Sequence, residues 1–421
     1  MSNKILVVNA GTHPEPAHLA AGLVAAGQNL TYLTSASVAS DSRLLKAASL
    51  PGLRAAPLVN QLPKRALPHP LRRANVAHRA AGLEIFSQLV KQVRPTNYGN
   101  TVDLRTRLFN PAVGRWVTKN RPEVVIGQQT CALDAFRAAG SGARKVLNYP
   151  LAHHAWIEAT MHAEAKRNPR WAPYLQGHDL TPAQRAHLDE EVALADHILV
   201  ASEFVRRTFI ESGIPEYKLL VELLGADVAQ FGSPAPEPDR ELGLRILFAG
   251  QLTQRKGLSY LVEGFASAGL DNATLRFVGP AIGDVDHLLT GPGVEVIGAV
   301  SKPELGRHYR WADLLVLPSL AEGFGLTALE AMACGTPCLL STSTFADDVI
   351  TPEVNGFIVP PADSEAIAQV FRRVANSEVG LPRMKELAAQ RALELTWERY
   401  RHAAAATVLA AVSAPLPTGR A

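Results

Sequence analysis

Short apolar runs of strand length alternate with longer segments of mixed polarity along most of the chain. Within most of these runs successive positions are apolar, which is typical of strands that are buried on both faces of a parallel sheet. In the first half the runs predict strands at Lys4–Asn9, Asn29–Leu33, Glu123–Gly127, Lys145–Tyr149 and His197–Ala201. The segments between them predict helices at Glu15–Ala26, about Ala80–Val93, Cys131–Ala139 and Pro182–Ala195.

A proline-rich segment divides the chain in two. Residues 232–243 hold three prolines within five positions and have no apolar period, which predicts a linker. The alternation then restarts, with predicted strands at Arg245–Ala249, Thr274–Val278, Val294–Ile297, Asp313–Leu317, Pro337–Leu340 and Gly356–Val359. We therefore predict an α/β protein with two doubly wound domains, residues 1–232 and 244–395, joined by residues 233–243. Ligands of such folds bind at the carboxyl ends of the strands, so we expect the site in the cleft between the domains.

Composition narrows the class of protein. Hydrophobic residues make up 47% and charged residues 19% of the 421 positions, which excludes disordered and collagen-like chains. The cysteines, Cys131, Cys334 and Cys338, are too few and too scattered for a disulfide framework or a zinc site. The apolar run at the start is too short for a secretory leader or a membrane span, so we expect a cytoplasmic protein.

The first candidate binding element follows the predicted strand at Arg245–Ala249. Gly250 allows a tight turn, and Arg255 and Lys256 stand side by side just before a helix predicted to begin near Lys256. Two cations beside the free N–H groups of a helix start favour a diphosphate. The alternative is an ordinary helix start with solvated charges.

The second element runs from Leu317 to Pro337. A loop with Gly323 and Gly325 leads into a helix predicted from about Leu326 to Cys334, so its amides can approach an anion. Glu322 in the loop and Glu330 in the helix are carboxylates, which accept hydrogen bonds from the hydroxyls of a sugar or a ribose. The alternative for Glu330 is a helix glutamate in solvent or in an ion pair.

These two elements together resemble the retaining nucleotide-sugar glycosyltransferases of family 4, which have the GT-B fold of two Rossmann-like domains facing a cleft. The glutamates Glu322 and Glu330 match that family's E-x7-E motif, and Asn355-Gly-Phe-Ile-Val is similar to its N-G-x-L-V segment. The resemblance is strong over residues 190–400 and loose over residues 1–190. It implies a hexosyltransferase that uses a nucleoside-diphosphate sugar as co-substrate and needs neither a metal nor another cofactor.

The resemblance also implies roles for individual residues. Arg255 and Lys256 would hold the donor diphosphate, Glu330 the ribose and Glu322 the sugar hydroxyls. The amides from Phe324 to Leu326 would assist, together with the glycines Gly250, Gly323 and Gly325. The family places a histidine of the first domain near the donor sugar, which here points to His153 or His154, the alternative being a surface loop. Many relatives have a Gly-Gly pair after the first strand, which approaches the diphosphate and the acceptor. This chain has only Gly11 there, and the resemblance implies that Gly11 contributes to donor binding. The segment from Leu395 to Tyr400 resembles the start of the family's closing helix, so residues 396–412 should cross back to the first domain, followed by a disordered tail at 413–421.

Two other functions are compatible with the same sequence. A nucleotide-sugar epimerase can have the same architecture, and so can a non-catalytic protein that binds a sugar nucleotide. An epimerase converts the donor without an acceptor, whereas a transferase at most hydrolyses it slowly. A non-catalytic protein would be favoured by loss of Arg255, Lys256 or Glu322, all of which are present.

The acceptor is suggested only by charge. Residues 1–150 carry 19 lysines and arginines against 6 acidic residues, although the net charge of the whole chain is +3. Residues 62–79 hold five of these cations and no acid. We expect the acceptor to be a glycan, a lipid-linked molecule or a small molecule in polysaccharide or glycoconjugate biosynthesis. We also expect the protein to make peripheral contact with the inner face of an anionic membrane. The alternative is a solvated basic face, and no motif supports binding to nucleic acid.

Overall fold

The structure, a computed structural model, describes residues 4–11, 13–39, 66–71, 75–78, 98–177, 179–228, 231 and 243–415. Two parallel sheets flanked by helices account for most of these residues. The helix predicted near residues 80–93 lies outside the described residues. So do the predicted linker, apart from Gly243, and residues 416–421 of the tail predicted at 413–421, whose first residue, Ser413, instead ends a helix.

The first sheet belongs to the N-terminal half. Its strands are β1 (Lys4–Asn9), β2 (Asn29–Thr34), β5 (Val76–His78), β6 (Val124–Gln128), β7 (Arg144–Asn148), β8 (His197–Val200) and β9 (Leu219–Val221), while β3 (Val38–Ala39) pairs with β4 (Ala66–Leu67). The described strands follow the order β5-β2-β1-β6-β7-β8-β9, and all neighbours are parallel. Residues 5–8 of β1 are fully buried because apolar side chains pack on both faces of the sheet.

Helices cover the two faces of this sheet. They are α1 (Glu15–Ala25), α2 (Tyr98–Asn120), α3 (Leu133–Ala139), α4 (His154–Arg167), α5 (Pro182–Leu194) and α6 (Glu203–Glu211). Helix α5 begins with a capping box, in which the Thr181 hydroxyl accepts from the amide of Gln184 and the Gln184 side chain accepts from the amide of Thr181.

The second sheet repeats the design. Its strands are β10 (Leu244–Ala249), β11 (Ala273–Val278), β12 (Val294–Gly298), β13 (Leu314–Leu317), β14 (Cys338–Ser341) and β15 (Gly356–Val359), in the order β12-β11-β10-β13-β14-β15 among described residues. The associated helices are α7 (Leu258–Ala268), α8 (Lys302–Trp311), α9 (Leu326–Ala333), α10 (Ala346–Val349), α11 (Ser364–Ala375) and α12 (Leu381–Leu393). Strands β10, β13 and β14 are buried throughout, as expected for the centre of a parallel sheet.

The last helix, α13 (Trp397–Ser413), packs on α1 of the first sheet. A β-carbon at Gly22 would lie only 2.1 Å from the carbonyl oxygen of Arg401, so the two helices can approach this closely only at a glycine. The Trp397 ring stacks on the His18 ring with centroids 4.2 Å apart. None of the described helices combines the length and the apolar character needed to cross a bilayer.

The predicted fold class is confirmed, and every predicted strand agrees with the structure to within a single residue at each end. Two local predictions were wrong. The helix after Gly250 begins at Leu258 instead of near Lys256, because Gly257 adopts a left-handed conformation that separates it from a 3-10 turn at Gln254–Lys256. His154 is the first residue of helix α4, so the alternative of a surface loop is also wrong.

Candidate active site

The two domains meet where the loop after β13 touches the segment after β7. Ser202, which caps helix α6, donates its hydroxyl to the carbonyl of Gly323 at 3.2 Å. A β-carbon on Gly323 would lie 2.4 Å from the carbonyl oxygen of Pro150, so a glycine is needed at this contact. The carboxyl edges of both sheets therefore face one another here, where α/β folds bind their ligands.

The turn after β10 is held against β13. Gly257 has a φ of +75°, and a β-carbon there would lie 2.1 Å from the carbonyl oxygen of Pro318. Both the conformation and the space therefore require glycine. The amide of Leu320 also donates to the carbonyl of Arg255 at 2.9 Å. These contacts place the turn beside the loop that carries Glu322.

Arg255 and Lys256 are two cations in a largely dry environment. The Arg255 guanidinium donates to the carbonyl of Ala321 at 2.6 Å, and the Lys256 ammonium forms an ion pair with the Glu322 carboxylate. Burial lowers the pKa of Lys256, and the neighbouring charge of Arg255 lowers it further. Burial also lowers the pKa of Arg255. An anion that enters beside the pair would relieve this penalty, because it stabilises the charged form of both groups.

The loop from Glu322 to Leu326 presents backbone amides at the start of α9. The amide of Gly323 donates to the carboxylate of the preceding residue, Glu322, at 3.2 Å. Gly325 is the N-terminal cap of the helix and has a left-handed conformation. The ring of Phe324 is buried and stacks on Phe345 at 4.5 Å, so this side chain anchors the loop. Helix α9 begins at Leu326, as predicted.

Glu330 lies inside α9 with only 14% of its side chain exposed. The Tyr309 hydroxyl donates to its Oε2 at 2.9 Å, and the Lys302 ammonium lies 3.8 Å from its Oε1. Burial raises the pKa of the Glu330 carboxyl, while Lys302 and Tyr309 oppose the shift. Tyr309 therefore orients a carboxylate that has remaining lone pairs for a diol.

A cavity of about 160 Å³ lies between the domains at this edge. It brings Arg255 and Glu322 together with residues of the first domain, including Leu151, Ile157 and Gln176. Within the described ranges, no group of three or more His, Cys, Asp or Glu side chains converges in a way that could hold a metal ion.

The histidine pair is engaged within the first domain. The two ring nitrogens of His154 bond to the Tyr149 hydroxyl at 3.2 Å and to the Asp189 carboxylate at 2.8 Å. His153 caps α4 by accepting from the amide of Ala155, and burial followed by the proximity of His154 lowers its pKa to about 4. Leu151 and Ala152, just before the pair, line the cavity instead. The predicted donor contact of either histidine therefore stays a prediction.

The two remaining predicted glycines occupy strand ends. Gly11 follows β1, and its amide donates to the side chain of Asn9 at 2.9 Å. Gly250 follows β10 with a φ of +150°. Its carbonyl oxygen lies so close to Gly279 that a β-carbon added to Gly279 would be only 1.8 Å from that oxygen. Gly250 thus shapes the turn that leads to Arg255.

Sequence reasoning missed the residues that support the site. Ser202, Tyr309 and Glu164 each hydrogen-bond to a predicted site element or to its neighbour, yet none belongs to a recognisable motif. Ser202 directly follows the strand predicted at His197–Ala201, and a position at the carboxyl end of a strand is the one signal that could have indicated it. Their roles depend on contacts between residues far apart in the chain.

Comparison with known proteins gives the site a context. Residues 235–391 match the family of glycosyl transferases group 1. A D-inositol 3-phosphate glycosyltransferase 1 from Catenulispora acidiphila is 29% identical over 67% of this chain and 75% of its own length. A D-inositol 3-phosphate glycosyltransferase from Kineococcus radiotolerans is 26% identical over 76% of this chain and 84% of its own length. An uncharacterized glycosyltransferase from Methanocaldococcus jannaschii is 36% identical, but the match covers 31% of this chain and 35% of that protein.

Solved structures share the fold at low sequence identity. A sucrose-phosphate synthase from Thermosynechococcus elongatus superposes with a TM-score of 0.62 and 18% identity, covering 98% of this chain and 100% of that one. Anabaena HepE in complex with UDP and glucose has a TM-score of 0.59 and 15% identity, covering 97% and 100%. The family match, together with the relatives and the shared architecture, makes the chain a glycosyltransferase with the GT-B fold, in which residues 235–391 match glycosyl transferases group 1.

Proposed function

We propose that this chain is a retaining glycosyltransferase that moves a hexosyl group from a UDP- or GDP-sugar to an acceptor hydroxyl, without a metal or another cofactor. One observation carries the proposal: the Arg255–Lys256 turn and the Glu322 loop meet beside a cavity that faces the first domain. Cations and helix amides gathered at one edge suit a diphosphate, and a carboxylate beside them suits sugar hydroxyls.

The proposed roles follow from position. Arg255 and Lys256 bind the diphosphate and stabilise the charge that develops on the leaving phosphate, together with the amides at the start of α9. Glu330, held by Tyr309, accepts hydrogen bonds from the ribose hydroxyls. Glu322 accepts from hydroxyls of the donor sugar.

The reaction breaks the bond between the anomeric carbon and the phosphate oxygen and forms a bond from that carbon to the acceptor oxygen on the same face. The acceptor proton passes to the departing phosphate oxygen, so no separate general base is needed. The two carboxylates therefore act as binding groups, unlike the acid and base pair of a glycosidase.

The known proteins support particular substrate classes. HepE was solved with UDP and glucose, which makes UDP-sugars the first donors to test. Two relatives are named for D-inositol 3-phosphate, a phosphorylated polyol, and a basic first domain suits such an anionic acceptor. A lipid-linked glycan is the second acceptor class, because basic segments attract anionic membranes by about 1 kcal/mol per residue. Sedimentation with anionic vesicles tests that contact, and the absence of salt-sensitive binding would exclude it.

The test is a panel of UDP-, GDP-, ADP- and dTDP-sugars, scored by thermal stabilisation and by donor hydrolysis. Wild type, Lys256→Ala and Glu330→Ala are compared, with Lys119→Ala as an exposed control and an arm in chelator. We expect sugars of one nucleotide family to raise the melting temperature of wild type and of the Lys119→Ala control, with or without chelator. The same sugars should not stabilise Lys256→Ala or Glu330→Ala. Transfer from that donor is then assayed with inositol 3-phosphate and with lipid-linked glycans as acceptors.

Other outcomes would contradict the proposal. Conversion of the donor sugar to its epimer without an acceptor would indicate an epimerase. Equal stabilisation of all four proteins would place the nucleotide elsewhere. Loss of activity in chelator, restored by a divalent cation, would exclude the metal-independent mechanism.

A further inference from the structure

A buried carboxylate of the first domain reaches the turn that carries the two cations. Glu164 lies in helix α4, and its side chain is only 2% exposed. Its Oε1 accepts from Gln254 Nε2 at 2.7 Å and from Asn168 Nδ2 at 2.8 Å, while its Oε2 accepts from the Tyr260 hydroxyl at 2.8 Å. Gln254 and Tyr260 belong to the second domain, so Glu164 joins the domains through hydrogen bonds in a water-poor contact.

Gln254 is the residue immediately before Arg255 and Lys256, and it is fully buried. Its Oε1 accepts from the amide of Ser259 at 3.0 Å, and its Nε2 also donates to the Ser259 hydroxyl at 2.6 Å. Its carbonyl accepts from the amide of Gly257 at 2.8 Å and so closes the turn. The side chain of Gln254 therefore connects α4 to the first turn of α7. Its backbone closes the turn that carries Arg255 and Lys256 between these two helices.

A second contact strengthens the same connection. The Thr253 hydroxyl donates to the carbonyl of Tyr174 at 2.6 Å, and the Tyr174 hydroxyl donates to Asp284 at 2.7 Å. The carbonyl of Thr253 accepts from the amide of Lys256 at 2.9 Å. Two successive residues of the second domain are thus anchored to the first domain immediately before the cations begin.

From these contacts we infer that Glu164 is a positioning residue: through Gln254 it holds the Arg255–Lys256 turn in the geometry that binds the diphosphate of the donor. The inference rests on the proposed function, because it assumes that this turn binds a diphosphate. Glu164 itself does not touch the donor. A carboxylate suits this role because it only accepts, and three donors point at it. The position of α4 against the second domain then determines the geometry of the phosphate-binding turn.

The test is a double-mutant cycle between the two side chains, in which Glu164→Gln and Gln254→Glu are measured singly and together. Gln254→Glu faces Glu164 with a second carboxylate, whereas Glu164→Gln combined with Gln254→Glu restores one amide and one carboxylate. Dissociation constants are measured for UDP and UMP, and for GDP and GMP, by calorimetry. We expect Gln254→Glu to weaken binding of the diphosphate about tenfold and binding of the monophosphate about twofold or less, since only the diphosphate reaches both cations. The double variant should return to within about threefold of wild type.

Tyr260→Phe is the matched structural control, because it removes a donor to Glu164 without changing Gln254. It should lower the unfolding midpoint and leave the ratio of diphosphate to monophosphate affinity unchanged. A double variant as weak as Gln254→Glu would overturn the inference, because the added charge would then act directly on the phosphates. An unchanged ratio in Gln254→Glu would overturn it as well. If wild type bound none of the four nucleotides, the proposed function itself would fail, and the inference with it.

Discussion

The ammonium of Lys256 forms an ion pair with the carboxylate of Glu322, and so joins the turn after β10 to the loop after β13. Both side chains are nearly buried, at 12% and 10% exposure, so the pair is poorly screened by water. A diphosphate bound beside Lys256, as we propose, would compete with Glu322 for the ammonium. Donor binding would then release a carboxylate for the sugar hydroxyls at the moment that the sugar arrives.

Removing the ammonium should cost most of the activity. We expect Lys256→Ala to lower kcat/KM for the donor by about 10²–10³-fold, the usual effect of losing one group that stabilises transition-state charge. Lys119→Ala removes the same charge from an exposed position of helix α2 and should leave the kinetics unchanged. Steady-state transfer assays over a range of donor concentrations measure both variants. Equal kcat/KM values for the two variants would show that Lys256 does not act on the donor.

The Glu330 carboxylate should discriminate between ribose and deoxyribose. Glu330→Gln is expected to weaken binding of the ribonucleoside diphosphate by about tenfold, since hydrogen bonds to a charged group contribute about 1.5–3 kcal/mol and the amide keeps part of them. The 2′-deoxy form already lacks one of these bonds, so its affinity should change less. Calorimetric titration of both nucleotides into both proteins measures the difference. A parallel loss for the two ligands would place Glu330 away from the 2′-hydroxyl.

The close approach at Gly257 should make that position intolerant of a side chain. Gly257→Ala sets a β-carbon 2.1 Å from the Pro318 carbonyl in a left-handed conformation, so we expect a loss of about 3 kcal/mol in the free energy of unfolding and weaker nucleotide binding. Gly269→Ala is the matched control, because Gly269 is also left-handed but has open space around it. It should cost only about 1 kcal/mol. Urea denaturation of the three proteins measures these values, and similar losses in both variants would contradict the packing argument.

Asp348 should make stability depend on pH. Its carboxylate accepts from the amide of Glu203 at the start of α6, but burial raises its pKa from 3.8 to about 6. Glu203 and Asp347 add to the rise, whereas Arg207 opposes it. The folded protein therefore holds this proton more tightly than the unfolded chain does, and the resulting stability is lost as the pH rises through about 6.

Asp348→Asn removes this titration and keeps an oxygen that can accept from Glu203. We expect the variant to match wild type near pH 4 and to become more stable than wild type by about 1–2 kcal/mol near pH 7, a reduced value because the side chain is partly exposed. Denaturant unfolding of both proteins at several pH values gives the difference. If the difference did not change with pH, Asp348 would not titrate in this range.

Much of the architecture could be predicted because the information is local. The apolar runs Ile246–Ala249 of β10 and Leu314–Leu317 of β13 predict strands buried on both faces, and the glycines at 323 and 325 mark the loop before α9. The missed elements lack such patterns. Strands β5 and β9 are short edge strands, and helix α2 contains Pro111, which interrupts its apolar period.

By itself the sequence determined the two doubly wound domains and the two elements that carry the candidate site, because buried periodicity and turn glycines depend on neighbouring residues. Only the tertiary structure decided which side chains meet. It pairs Lys256 with Glu322, commits His154 to Asp189, and brings Glu164 to Gln254. These partners are far apart in the chain, and their contacts depend on how two sheets and the helix between them pack, which no local pattern encodes.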